Sequence, residues 1–195
     1  MSEIRLIGSP SVHEDGDPVR AGRGDRLARN LVLPLLIVLV AVIAVFYVFF
    51  DVSKVDGPSM LPTLHNGDRL LLTRGYRNPR HGDIVVLIAQ DMGAPLEIVK
   101  RVVGLPGDTV EVFGDAVFVN GKPEAFAHSG VIKFETPHFA ALKLPPGSVY
   151  VMGDNRPESF DSRYTGPMSL TSAHGRVVAI IAPIGRMRVV PSGID

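Results

Sequence analysis

The sequence predicts a mainly β protein: an antiparallel β domain preceded by a single N-terminal transmembrane helix. Three observations carry that expectation. Residues 31–50 run without a charge, and twenty helical residues rise about 30 Å, the thickness of a bilayer's hydrocarbon core. Beyond residue 51 no long amphipathic helical pattern occurs; short runs rich in Val and Ile recur instead, punctuated by Gly, Pro, Asn and Asp. Gly114-Asp115, set between Val110-Glu111-Val112-Phe113 and Val117-Phe118-Val119, has the composition of a hairpin turn, and Asn120-Gly121 marks the next one.

Taken in order, residues 1–30 are rich in Gly, Pro, Ser and charge without apolar periodicity, the composition of a disordered arm. Residues 31–50 read as an anchor rather than a cleaved leader. A leader's apolar region is about 7–15 residues and ends in small residues, whereas this one ends in Val48-Phe49-Phe50-Asp51-Val52. Arg20, Arg23, Arg26 and Arg29 precede it and only Lys54 follows closely. The excess of basic residues puts the N-terminus in the cytoplasm and residues 51–195 on the extracytoplasmic face, with Phe46, Tyr47, Phe49 and Phe50 near the outer interface. The expected strands are Arg69–Thr73, Ile84–Ala89, Ile98–Val103, Thr109–Phe113, Ala116–Asn120, Ser148–Met152, Val177–Ile181 and Arg186–Val190.

Composition excludes several kinds of chemistry. With 195 residues the chain has room for one domain plus appendages. Its net charge of zero gives no electrostatic case for nucleic acid. The absence of Cys removes disulfides, thiolate metal sites and thiol catalysis. The six histidines are scattered without ligand spacing, so no metal is expected. Gly104-Leu105-Pro106-Gly107 lacks the ending of a phosphate loop and reads as a turn. No cofactor is expected.

Lys100 breaks the strand pattern. In Glu97-Ile98-Val99-Lys100-Arg101-Val102-Val103, alternation places Lys100 on one face with Ile98 and Val102. Two readings fit this segment: an amine that snorkels to water from a strand edge, or a buried amine whose pKa desolvation lowers until it serves as a base. The second needs a nucleophile. Gly57-Pro58-Ser59-Met60-Leu61-Pro62-Thr63-Leu64 offers Ser59 between two prolines of fixed φ, and a serine hydroxyl becomes a good nucleophile once an adjacent base takes its proton.

Those eight residues resemble the nucleophile box of the type I (bacterial) signal peptidases, a Ser/Lys protease family. Three further blocks match in order. His81-Gly82-Asp83-Ile84-Val85-Val86 resembles the structural box, and Ile98 to Asp108, with Lys100-Arg101 and Gly104-Leu105-Pro106-Gly107-Asp108, resembles the lysine box. Met152-Gly153-Asp154-Asn155-Arg156-Pro157-Glu158-Ser159-Phe160-Asp161-Ser162-Arg163 resembles the C-terminal box. The likeness runs from the apolar segment to the end of the chain.

The resemblance implies a curved antiparallel β catalytic domain with a small secondary β region between the lysine and C-terminal boxes, compact here at roughly Glu111–Gly147. It implies that Ser59 attacks the scissile carbonyl and Lys100 takes its proton. Ser159 matches a serine that orients the lysine amine, so its loss should reduce activity without abolishing it. Asp161 and Arg163 match a structural ion pair, and Asp154 is the implied partner of Arg101. The Ser59 backbone N–H is the implied oxyanion donor. Some members carry a second, side-chain donor two positions before the nucleophile; here that position is Gly57, which keeps only a backbone role. The implied partners are preprotein signal peptides, cut after Ala-x-Ala-like sites, and the lipid bilayer. Met60, Leu64 and Val99, placed beside the pair, read either as walls of substrate pockets or as ordinary core. Two other functions stay open: a Ser/Lys protease with one dedicated substrate, and a non-catalytic membrane-tethered module that binds peptides. The intact Ser59, Lys100 and Ser159 argue against the module.

Overall fold

The computed structural model describes residues 28–91, 94–113, 116–126, 139–191 and 193. The expected arm up to residue 27 and the Gly114-Asp115 turn lie outside these residues. Two compact units divide after Ala44. A π-helical turn over Ala28–Val32 leads into helix α1, Leu33–Phe49, whose last five residues belong to the second unit. The combined helix, Arg29–Phe49, has 21 residues and a mean hydropathy of 3.2; among the described residues it alone is long and apolar enough to cross a membrane. None of the α1 side chains is buried.

Phe50, expected as the last residue of the apolar span, leaves the helix and opens strand β1 (Phe50–Lys54). The remaining strands are β2 (Arg69–Arg74), β3 (Ile84–Asp91), β4 (Ala94–Gly104), β5 (Thr109–Phe113), β6 (Ala116–Val119), β7 (Lys122–Pro123), β8 (Phe139–Lys143), β9 (Ser148–Met152), β10 (Met168–Ser169), β11 (Ala173–Ala182) and β12 (Arg188–Val189). They pair antiparallel throughout. The main sheet has the order β1-β2-β11-β3-β4-β9-β10, with β12 on β11, and a second, four-stranded sheet has the order β7-β6-β5-β8. The protein is thus mainly antiparallel β with an N-terminal apolar helix and a small secondary sheet in the expected interval. Bulges interrupt β11 against β2 and β3, and β4 against β9, and each adds a bend to its strand.

The strands with β-branched runs form as expected, and both faces of β3 explain why. Ile84 and Val86 enter one core cluster, with Leu64, Leu70, Leu72 and Val177, while Val85 and Leu87 enter another, with Val102, Val149 and Val151. A strand covered on both sides reads as a continuous apolar run. Strand β1 (Phe-Asp-Val-Ser-Lys) and strand β8 (Phe-Ala-Ala-Leu-Lys) have no such run and form by pairing with β2 and β5. The strand expected over Arg186–Val190 shortens to Arg188–Val189, because Ile184–Arg186 is a turn of 3₁₀ helix. Asn120 and Gly121 do form a hairpin turn, with φ of 53° and 73° and Val119 opposite Lys122, the left-handed pair that a two-residue hairpin requires.

Candidate active site

The turn carrying Ser59 follows β1. Gly57 has φ of 92°, a left-handed conformation that favours glycine. Leu61 N–H donates to Pro58 O at 3.1 Å, and Leu64 N–H donates to Met60 O at 2.9 Å. Met60 and Leu64 are 1% and 0% exposed, sealed into the same cluster as Leu70 and Ile84. They pin the turn from below and leave Ser59 half-buried. Of the three expected pocket walls only Val99, half-buried at the edge of that cluster, keeps accessible surface.

Lys100 comes from β4, where it pairs with Val85 of β3. It is 4% exposed, and its Nζ lies 2.9 Å from Ser59 Oγ. Of the two readings open for the segment, the buried amine is the one observed. Burial pushes its pKa below the ordinary lysine value; the nearby Asp161 carboxylate pulls the other way, and the Arg163 guanidinium adds to the lowering. Burial wins because Asp161 is already neutralised by Arg163, which bonds both of its carboxylate oxygens, Nε to Oδ1 at 2.8 Å and NH2 to Oδ2 at 2.9 Å.

The C-terminal box builds the floor beside this pair. Asp161 also accepts from Gly153 N–H at 3.0 Å and from Ser159 Oγ–H at 2.7 Å, and it caps the short helix Ser162–Thr165 through Arg163 N–H. The Arg163 side chain is fully buried and donates further to Arg156 O and Ser159 O. Ser159 is 6% exposed. Among the described residues its hydroxyl bonds Asp161 rather than the lysine amine to which the family resemblance assigned it. It lies across Gly153 from the nucleophile: a Cβ on Gly153 would meet Ser159 Oγ and would stand 2.5 Å from Ser59 O.

Arg101 forks onto Asp154, with Nε to Oδ1 and NH2 to Oδ2 both at 2.7 Å. It also donates to Gly82 O at 2.8 Å and stacks 5.2 Å from the Phe126 ring centre. Thr63 Oγ1 donates to the same Asp154 carboxylate. Asp154 therefore ties the serine turn to the lysine strand. Asn155 does so from the C-terminal box: its backbone N–H donates to Ser59 O at 3.0 Å and its Nδ2 donates to Pro58 O at 3.1 Å. Gly153, Asn155, Thr63 and Phe126 were given no role by the sequence. The first three stand inside the matched boxes, which was the available signal; Phe126 carried none. Among the described residues no group of His, Asp and Glu is arranged to hold a metal ion.

A half-buried hydroxyl against a buried amine of lowered pKa, framed by two neutralised ion pairs, has the parts of a nucleophile–base site on a β scaffold. Comparison with known proteins agrees with that class. The family model "Signal peptidase, peptidase S26" matches residues 28–182. Signal peptidase I P of Bacillus subtilis subsp. natto is 37% identical over 153 residues, covering 71% of this chain and 81% of that protein. Signal peptidase I of Bacillus licheniformis is 35% identical over 140 residues, covering 66% and 74%. A solved signal peptidase I from Enterococcus faecalis aligns with a TM-score of 0.42 at 28% identity, over 52% of this chain and 98% of that one. The chain belongs to the signal peptidase family, peptidase S26, a family of peptidases that cleave signal peptides.

Proposed function

We propose that this protein is a membrane-anchored serine endopeptidase that removes signal peptides after Ala-x-Ala-like sites with a Ser59/Lys100 dyad. The observation that carries this is the 2.9 Å contact between Ser59 Oγ and the buried Lys100 Nζ. An amine with a lowered pKa is neutral more often than an ordinary lysine and so better able to accept the hydroxyl proton as Ser59 attacks the scissile carbonyl. The Ser59 N–H has no acceptor among the described residues and is the donor for the developing oxyanion. The protonated amine then delivers its proton to the leaving peptide nitrogen, the acyl-enzyme forms, and neutral Lys100 activates water to release the new N-terminus.

The other named residues have supporting roles. Asp161 and Arg163 fix the lysine's surroundings, Ser159 holds Asp161, and Arg101 and Asp154 hold the two catalytic segments together. Val99, with accessible surface beside the dyad, forms a wall for a small substrate side chain; Met60 and Leu64 shape that wall from within the core. Helix Arg29–Phe49 anchors the chain, and Arg20, Arg23, Arg26 and Arg29 keep the N-terminus cytoplasmic. The catalytic domain then stands on the extracytoplasmic face, and Ser59 follows Phe50 closely enough to meet a substrate emerging from the bilayer.

The test uses the full chain in detergent with a preprotein bearing an Ala-x-Ala site, and maps the new N-terminus. Wild type should cut just after that site, and Ser59→Ala and Lys100→Ala should not. Cleavage by either variant would sink the dyad. A wild type that leaves several competent preproteins intact would favour a dedicated substrate.

A further inference from the structure

The domain has a second concavity, remote in role from the dyad. A cleft of about 540 Å³ opens where β2 runs into the loop before β3, and Arg74, Tyr76, Arg77, Arg80, Asp83 and Arg176 line it. Four guanidinium groups on one cleft need compensation. Asp83 supplies one buried carboxylate, whose oxygens accept from the Tyr76 hydroxyl at 2.7 Å, Arg80 N–H at 3.1 Å and Gly193 N–H at 2.8 Å. Arg176 reaches it only at 3.8 Å. Arg74 is bound to Asp51 at 2.8 Å. Arg77 is exposed and has no hydrogen bond or ion pair among the described residues. Arg80 has an interaction of its own, so among the described residues the uncommitted cation of the cleft is Arg77, beside two further guanidinium groups that each face one carboxylate.

The pairing of the strands places one wall of the cleft beside Phe50, where the apolar helix ends. Strand β1 begins at Phe50, directly after the apolar helix ends at Phe49. Antiparallel register places Thr73, a wall of the cleft, opposite Phe50, and Arg74 Nε donates to Phe50 O at 3.1 Å. Strand β2 therefore ends beside the residue at which the chain leaves the apolar helix, and in the membrane-anchored reading that residue stands at the level of the lipid phosphates. A neighbouring cleft of about 500 Å³ shares Gly75, Tyr76 and Arg77 and is walled by Leu170 and Ala173, so the basic site has an apolar flank.

We infer that the Arg74–Arg77–Arg176 cleft is a binding site for the phosphate of an anionic phospholipid headgroup. Arginine forks match phosphate oxygens in pairs, and each cation at this depth strengthens headgroup binding about fivefold. The site would fix the height and rotation of the domain on the bilayer. The inference rests on the membrane-anchored reading above; the chemistry of the site does not depend on the dyad.

The test is native mass spectrometry of the full chain released from neutral detergent, with phosphatidylglycerol, diacylglycerol, inorganic phosphate and a polyglutamate peptide as separate probes. Phosphatidylglycerol should stay bound to wild type and to Ser59→Ala alike. Retention should fall about fivefold in Arg77→Gln, whose side chain makes no hydrogen bond or ion pair among the described residues, and further in Arg77→Gln/Arg176→Gln. Displacement by inorganic phosphate at equal concentration would assign the cleft to free phosphate and overturn the lipid source. Displacement by an acidic peptide, with phosphate inert, would overturn the phosphate chemistry. Equal retention of phosphatidylglycerol and diacylglycerol, unchanged in the variants, would overturn the site altogether. Because Ser59→Ala is scored for lipid alone, a failed peptidase assay and a failed lipid assay are separate results.

Discussion

Gly153→Ala is the sharpest test of how the site is held. Alanine at this position would place its Cβ 2.5 Å from Ser59 O and 2.6 Å from Ser159 Cβ, with Ser159 Oγ nearer still. Ordinary contact begins at 3.4 Å, so the Ser59 carbonyl must withdraw by nearly an ångström, about 0.9 Å, or Ser159 must turn away from Asp161. Asn155 N–H grips that same carbonyl at 3.0 Å, so the nucleophile's backbone moves with it. A displacement of about 1 Å at a reacting centre costs about 10²-fold in rate, or about 2.7 kcal/mol of transition-state stabilisation. Overpacking of this kind destabilises the fold by about 1–3 kcal/mol. The expected result is therefore a kcat/KM near one-hundredth of wild type, with the midpoint of thermal unfolding lowered by about 2–12 °C. Preprotein cleavage measured beside thermal unfolding separates the two effects. Gly185→Ala is the control, because a Cβ there meets nothing within 4 Å. Activity within threefold of wild type in Gly153→Ala would refute the close approach, and a loss fully accounted for by unfolded protein would refute its link to the nucleophile.

The remaining predictions concern protons and the scaffold. Because burial lowers the Lys100 pKa, kcat/KM should fall as pH drops through that lowered value, and the limb should lie below the ordinary lysine value of about 10.4; a limb at or above that value would exclude a buried base. Between the two values the unfolded chain holds more protons than the folded one, so stability should rise with pH there, and Lys100→Met should remove that slope in denaturant titrations at several pH values. For His174 the sign is opposite: desolvation lowers its pKa, but hydrogen bonds to Asp51 at 2.7 Å and Glu97 at 2.6 Å raise it further, and the net shift is upward. Its stabilisation should be complete below the ordinary histidine value of about 6.5 and vanish as pH rises through the raised one, so unfolding of wild type and His174→Gln should converge at alkaline pH. Asp154→Ala leaves Arg101, whose side chain is 12% exposed, without its forked partner, and it should cost about 3–5 kcal/mol in chemical denaturation. Asp154→Asn, which keeps an acceptor for Thr63, should cost less.

The strands that were legible in the sequence are those whose side chains meet apolar neighbours on both faces. Ile84 to Leu87 and Val149 to Met152 had to be strands because each residue enters a core cluster. Strands β1 and β8 were not legible, since Asp51, Ser53, Ala140 and Ala141 have no strong strand preference and adopt extended backbone only where β2 and β5 offer hydrogen bonds. The helix end moved by one residue for a similar reason: Phe50 is apolar enough for the span, but its pairing with Thr73 takes it into the sheet.

The sequence by itself determined the apolar helix, the antiparallel β class and the pair of residues on which the proposed chemistry turns. The first two are local, the length of an apolar run and the period of a strand; the pair came from the resemblance of four ordered blocks to a known family, since the lysine segment alone left two readings open. Tertiary structure alone decided how the parts meet. Ser59 and Lys100, separated by 41 positions, stand 2.9 Å apart because β4 and the serine turn pack on a shared core and Asp154 and Asn155 hold them from a third segment. Ser159 faces Asp161 and not the amine, and Arg74 and Thr73 bond and pair with Phe50 directly after the apolar helix. Distance and burial between remote segments come from packing, and no pattern within one segment encodes them.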